Sequence, residues 1–329
     1  MPIPQPENNA IVQFAGRNYP RYALQHGIHC VPVDEEEEQR YDEVNDVLQK
    51  LFGDGIDGVV LPPAMRDEER LEEGAEVLEC GYGKAAWIDK LLTHRPDADV
   101  TGIDIFTGQG NSDEDDDDDD EEEDAGIESF IRRRWNLNAS FREDTSHDHL
   151  KPETFDLINS RLLSDGINAD RWPSYVRELY VLLKPDGWLQ MVEGQALFQS
   201  DSGRDAPFLS RWWEWYREKM IQMRKNPRIA SQLGTLMTNA GFKDVHYHVA
   251  RLPLGNWDPA KAQLGNQMRD VVDQMLIDVS LYPFLAVGKM PREQYDNLIA
   301  GARAELRRPE LRLYLNMHVA YGRKSRRGR

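Results

Sequence analysis

The chain has 329 residues, 40% of them hydrophobic and 30% charged, enough for one large domain with a cap, and no apolar run approaches the roughly 18 residues of a membrane-crossing helix. Two cysteines, Cys30 and Cys80, exclude a disulfide framework and lack the cysteine and histidine spacing of a zinc site, so no metal is expected. Twelve consecutive acids at 113–124 account for two thirds of the formal net charge of −18, leaving a mildly acidic body for which direct nucleic-acid binding is not expected.

Residues 1–10 are polar and proline-rich, without the basic and apolar regions of a secretory signal, and read as a flexible N-terminus of a cytoplasmic or nuclear protein. Residues 11–74 read as an N-terminal helical segment. Within it, 34–52 begins with acids at the dipole-positive end and spaces Tyr41, Val44, Leu48 and Leu51 along one helical face, with Gly53-Asp54-Gly55 as a stop. From 75 to 323 short apolar runs alternate with helical stretches, the pattern of an α/β fold with a mostly parallel sheet and helices on both faces. Strands are expected at 76–79, 99–103, 140–143, 155–160, 187–193, 243–250 and 313–321. Helices are expected at 84–93, 171–183 and 226–240.

The acidic run sits in a loop, 108–126, where like charges cannot pack and a solvated segment is expected. Helical insertions at about 200–225 and 258–308 would form a cap over the C-terminal edge of the sheet. The first carries Trp212, Trp213, Trp215 and Tyr216, which suit a core better than a solvated face. Residues 324–329 form a basic tail, either an import signal or a solubilising end.

The chemistry is concentrated in Glu79-Cys80-Gly81-Tyr82-Gly83-Lys84-Ala85, where an apolar strand runs through a glycine turn into a helix. Glycine lets the backbone turn sharply and approach a ligand without a Cβ. A dinucleotide site uses the same turn to hold a pyrophosphate, so a dehydrogenase is an alternative. Glu79, directly before the turn, suits a ligand with an ammonium group and is awkward beside a pyrophosphate. Asp104 ends the second strand, where a carboxylate accepts both ribose hydroxyls of an adenosine. Asp144, at the end of the expected third strand, is placed for an adenine amino group.

In this order, the segments resemble the class I S-adenosylmethionine-dependent methyltransferases. Gly16-Arg17-Asn18-Tyr19, the acid-rich helix near Asp34, Trp87, Leu252-Pro253-Leu254-Gly255-Asn256-Trp257 and Tyr321-Gly322-Arg323-Lys324 further resemble the fungal LaeA-type methyltransferases. The resemblance implies a Rossmann-like seven-stranded sheet and an S-adenosyl-L-methionine site at Glu79, Gly81, Gly83, Asp104 and Asp144, closed by Tyr19. It also implies a regulator of secondary metabolism or development, some members working with velvet-type partners. A small-molecule natural-product O-methyltransferase and a non-catalytic interaction module on the same fold are the alternatives. Two positions depart from the family pattern: Ala85 stands for the usual third glycine, and Lys84 for a small or hydroxyl residue. Positioning alone can supply much of a methyl-transfer rate, so a base is optional for many acceptors. If one acts, His147, His149, His246 and His248 are the candidates, the last two reading as structural groups on a strand.

Overall fold

The computed structural model describes residues 5–52, 60–62, 74–107, 130–142 and 150–326. A hairpin, β1 (Ile11–Phe14) and β2 (Arg17–Pro20), leads through α1 (Arg21–His26) to α2 (Glu35–Phe52). The body then runs β3 (Glu76–Cys80), α3 (Ala86–His94), β4 (Asp99–Asp104), β5 (Phe130–Arg134), β6 (Phe155–Arg161), α4 (Trp172–Leu182) and β7 (Leu183–Ser200). It ends with α5 (Pro207–Gln222), α6 (Leu233–Ala240), β8 (Lys243–Pro253), α7 (Ala262–Asp278), α8 (Arg292–Leu306) and β9 (Leu313–Arg323).

Seven strands form one sheet in the order β5-β4-β3-β6-β7-β9-β8. Neighbours from β5 to β7 pair in parallel, while β9 runs antiparallel between β7 and β8. Adjacent residues of one strand enter different cores: Val77 and Leu157 pack with α3, Leu78 and Ile158 with α4 and α6. Helices therefore cover both faces, as the unbroken apolar runs of these strands require. A further core gathers α5, α7 and α8 against β7 and β9.

The expected third strand is displaced. Residues 140–142 form a turn, held where Glu178 accepts from Ser140 Oγ at 3.1 Å and from the Phe141 amide at 3.0 Å. The strand is β5, Phe-Ile-Arg-Arg-Arg, which among the described residues pairs only with β4, at the sheet edge, and exposes Ile131 and Arg132. An edge strand needs no second apolar face, so its pattern is weak. Asp144 and the acidic run lie outside the described residues. The 226–240 expectation resolves into a 3₁₀ turn, Ile229–Gln232, followed by α6. Lys184-Pro185-Asp186-Gly187 lies within β7 at a register shift, with Asp186 at φ 70°.

The tryptophans of α5 belong to the core. Trp212 is fully buried, stacks on Tyr216 with ring centroids 5.0 Å apart, and donates its indole N–H to the Leu276 carbonyl at 3.0 Å. What covers the C-terminal ends of β3, β4 and β6 is α2. Its acid-rich first turn is anchored by Arg17, which donates to Asp34 at 2.6 Å and to the buried Asp278 at 2.6 Å.

Candidate functional site

Beneath α2, at the C-terminal ends of β3, β4 and β6, a cleft encloses about 1290 Å³, part of it continuous with solvent. Its floor is the glycine turn. Gly81 has φ 71°, and a Cβ there would meet Leu163 Cδ2 at 2.3 Å. Gly83 has φ 57° and open space where its Cβ would stand, so a ligand can approach the backbone at that point. Ala85 also adopts the left-handed conformation, φ 67°, with its amide donating to the Tyr82 carbonyl at 2.8 Å.

The third glycine position thus keeps the backbone geometry that favours glycine, and pays in strain. Ala85→Gly removes a left-handed penalty of roughly 1–2 kcal/mol, offset by roughly 0.5–1 kcal/mol of unfolded-state entropy. Its urea midpoint is expected at or slightly above the wild-type value. Ala85→Val adds β-branching to a buried left-handed site and should lose ~2 kcal/mol; a valine variant as stable as wild type would show that the turn relaxes freely.

Two acids end the strands beside the turn. Asp104 accepts from the Gly83 amide at 3.0 Å and from the Phe106 amide at 3.0 Å. Burial raises its pKa against the pull of these bonds. Each carboxylate oxygen retains a second lone pair for a ligand hydroxyl. Glu79 is 2% exposed and accepts from Asn159 Nδ2 at 2.6 Å. Burial pushes its pKa up to about 7, with Arg161 and Asn159 opposing the shift.

Glu79 does not stand alone in its strand. Glu79, Asn159 and Gln190 are register partners on β3, β6 and β7, and Gln190 Nε2 donates to Asn159 Oδ1 at 3.0 Å. This buried polar ladder fixes the carboxylate, and nothing local in the sequence announces it.

Arg161, the last residue of β6, was absent from the sequence expectations. It lies over the Trp87 ring, donates from Nη1 to Asn45 Oδ1 at 3.2 Å, and stands with Nε 3.7 Å from Glu79 Oε1. That Nε is buried without a hydrogen-bond partner among the described residues. The cleft therefore holds one buried acid and one incompletely bonded cation side by side.

His29 was also missed. Its Nδ1 lies 3.0 Å from Asp165 Oδ2 and its Nε2 3.3 Å from the Tyr41 hydroxyl, and both His29 and Tyr41 line the cleft. Burial alone would lower the His29 pKa, but Asp165 outweighs it and the ring is raised to about 9. Trp135, Asn136, Leu137 and Asn138, in the segment after β5, form another wall.

The structure brings Glu79, Gly81, Gly83 and Asp104 together on this cleft. Tyr19 is placed elsewhere: it is fully buried, packs its ring against Phe14 and Tyr282, and does not line the cleft, where its neighbour Pro20 does. The aromatic ring of Tyr19, on β2 at the hairpin base, is drawn into the core. His246 and His248 are exposed on β8 and stack on Tyr321, away from the cleft. His147 and His149 lie outside the described residues.

A family model described as a methyltransferase domain matches residues 37–247. The protein-methionine methyltransferase laeA of Emericella nidulans is 22% identical over 97% of this chain and 78% of its own. The secondary metabolism regulator LAE1 of Cochliobolus heterostrophus is 22% identical over 96% of each chain. Among solved structures, a putative sarcosine dimethylglycine methyltransferase from Galdieria sulphuraria aligns over 92% of this chain and 96% of its own, with 14% identity and a TM-score of 0.44.

Proposed function

This chain belongs to the methyltransferase domain family, and from that premise we propose that it binds S-adenosylmethionine in the cleft beneath α2 and acts as a LaeA-like methyltransferase regulator. The observation that carries the site is the convergence of the Gly81–Gly83 turn, Glu79 and Asp104 at the ends of adjacent parallel strands. A bound S-adenosylmethionine supplies an activated methyl group on a positively charged sulfur.

The residues fit such a ligand in kind. Asp104 accepts the ribose hydroxyls, and Glu79 and Arg161 present opposite charges to an amino-acid zwitterion, Arg161 with an unused N–H. Gly83 lets the ligand lie against the backbone. Trp135 and Leu137 provide an apolar wall for a base, and Asp144 is the acid proposed for its amino group. Tyr19 acts from behind, as packing under the hairpin. Burial of Glu79 and Arg161 strengthens their contacts with a charged ligand.

A velvet-type protein is the proposed partner, supported by the similarity to LaeA-type regulators over nearly the whole chain. The name of the Emericella nidulans relative makes a protein methionine the acceptor to try first. The test is calorimetric titration with S-adenosylmethionine of the chain alone and of the chain co-expressed with a velvet-type protein. Saturable binding and recovery of a stable complex are expected. No binding at millimolar ligand would overturn the enzyme reading, and recovery of the chain alone would overturn the regulatory partnership.

A further inference from the structure

The two edges of the sheet are finished differently. β5 closes one side with three arginines in five residues, fixed charges of the kind that keep a bare strand from pairing with another chain. β8 closes the other side, and among the described residues no strand pairs with its outer edge. From Val245 to Ala250 it carries no lysine, arginine, acid or proline, while Tyr247 and Val249 are 40% and 47% exposed.

The unguarded tract is a palindrome, Val245-His246-Tyr247-His248-Val249. We infer that β8 pairs antiparallel with β8 of a second copy of this chain, about a two-fold axis at Tyr247, so that the two sheets become one.

A symmetric antiparallel pair sets each residue opposite its mirror position. With the axis at Tyr247, that tyrosine meets its own counterpart, His246 meets His248, and Val245 meets Val249. Aromatic and β-branched cross-strand pairs of this kind are stabilising. A fixed charge at the axis would meet itself, and the tract has none.

The faces match as well. His246 and His248 both stack on Tyr321, on one side of the sheet. Tyr247 turns to the other side, where its hydroxyl lies 2.6 Å from His318 Nδ1. Pairing two copies therefore gathers the imidazoles on one face and the tyrosines on the other.

Charges at the ends of the tract select this register. Moving the axis to His246 sets Lys243 opposite Val249, and moving it to His248 sets Arg251 opposite Val245. Between Lys243 and His246 the ladder with β9 shifts register, and such a bulge ends regular pairing. The contact is thus one short strand with its flanking side chains, which suits a concentration-dependent dimer and not an obligate one. Because β7 and β9 separate β8 from β6, the cleft beneath α2 stays open in each copy.

Sedimentation velocity of the full chain over a concentration series is expected to show reversible dimer formation, with amide hydrogen exchange from His246 to Val249 slowing as the dimer fills. Two double variants at exposed positions test the axis: His246→Glu with His248→Glu, and His246→Lys with His248→Lys. Each sets like charges opposite one another and should raise the dimer dissociation constant roughly tenfold or more. An equimolar mixture of the two sets glutamate opposite lysine and should recover a heterodimer. Melting temperatures near that of wild type check that both variants fold; if one does not, the exchange measurement on the wild type decides alone. A chain that is monomeric at every concentration, a dimer whose β8 amides exchange as in the monomer, or a dimer that survives in both double variants would overturn the pairing. Protection of β8 only when a different protein is added would give the edge to another occupant and overturn it too.

Discussion

Replacing Asp104 with alanine is expected to weaken S-adenosylmethionine binding by about 100-fold or more. The carboxylate ends β4 beside the glycine turn, and each hydrogen bond from a ribose hydroxyl to a charged acceptor contributes roughly 1.5–3 kcal/mol. Two such bonds set the magnitude, since 1.4 kcal/mol is about a factor of ten. The same side chain accepts from the Gly83 and Phe106 amides, so the alanine variant also frees the turn that faces the ligand. Asp104→Asn keeps one carbonyl oxygen and the shape, and should bind with an intermediate affinity. Calorimetry on variants whose melting temperatures are checked in parallel gives the ranking. An alanine variant that binds as tightly as wild type would remove Asp104 from the site.

The second large effect lies outside the cleft. Arg171→Met should destabilise the fold by about 3–5 kcal/mol, the usual consequence of leaving one partner of a buried ion pair alone. Arg171 is 8% exposed. Its Nε and Nη2 donate to the Leu137 and Ala139 carbonyls at 3.0 and 2.8 Å, and its guanidinium meets both oxygens of Glu178 at 2.8 and 2.7 Å. Those carbonyls belong to the segment after β5 that walls the cleft, so the arginine couples stability to ligand binding. Lysine cannot reproduce the fork, and Arg171→Lys should recover little of the loss. Pairing Arg171→Met with Glu178→Met removes the stranded charge and should recover part of it. Urea denaturation measures all three, and a single methionine variant within 1 kcal/mol of wild type would show that the segment has other anchors.

The three parallel strands at the centre of the sheet could be read from the sequence because they are buried on both faces, and the exposed edge strand β8 was read as well. Glu76–Cys80, Asp99–Asp104 and Phe155–Arg161 appear as short apolar runs because α3 lies on one side of them and α4 on the other. Phe130–Arg134 does not, because an edge strand can carry three arginines and still pair with β4.

The site divides in the same way. Gly81, Gly83, Glu79 and Asp104 could be placed because each sits at a strand end, where topology alone decides the location. His29 and Asp165 are 136 residues apart, and Arg161 and Asn45 are 116 apart. The first pair meets where the segment between α1 and α2 runs against the segment after β6, the second where α2 seats over the sheet, and no local pattern encodes either. Tyr19 shows the converse: a conspicuous residue beside the site whose side chain turns into the core.

The most direct test is a crystal structure with S-adenosylhomocysteine. The nucleoside is expected over Gly83 with its ribose on Asp104, and the amino-acid end between Glu79 and Arg161. Ligand density elsewhere on the protein, with the cleft beneath α2 filled only by solvent, would contradict it.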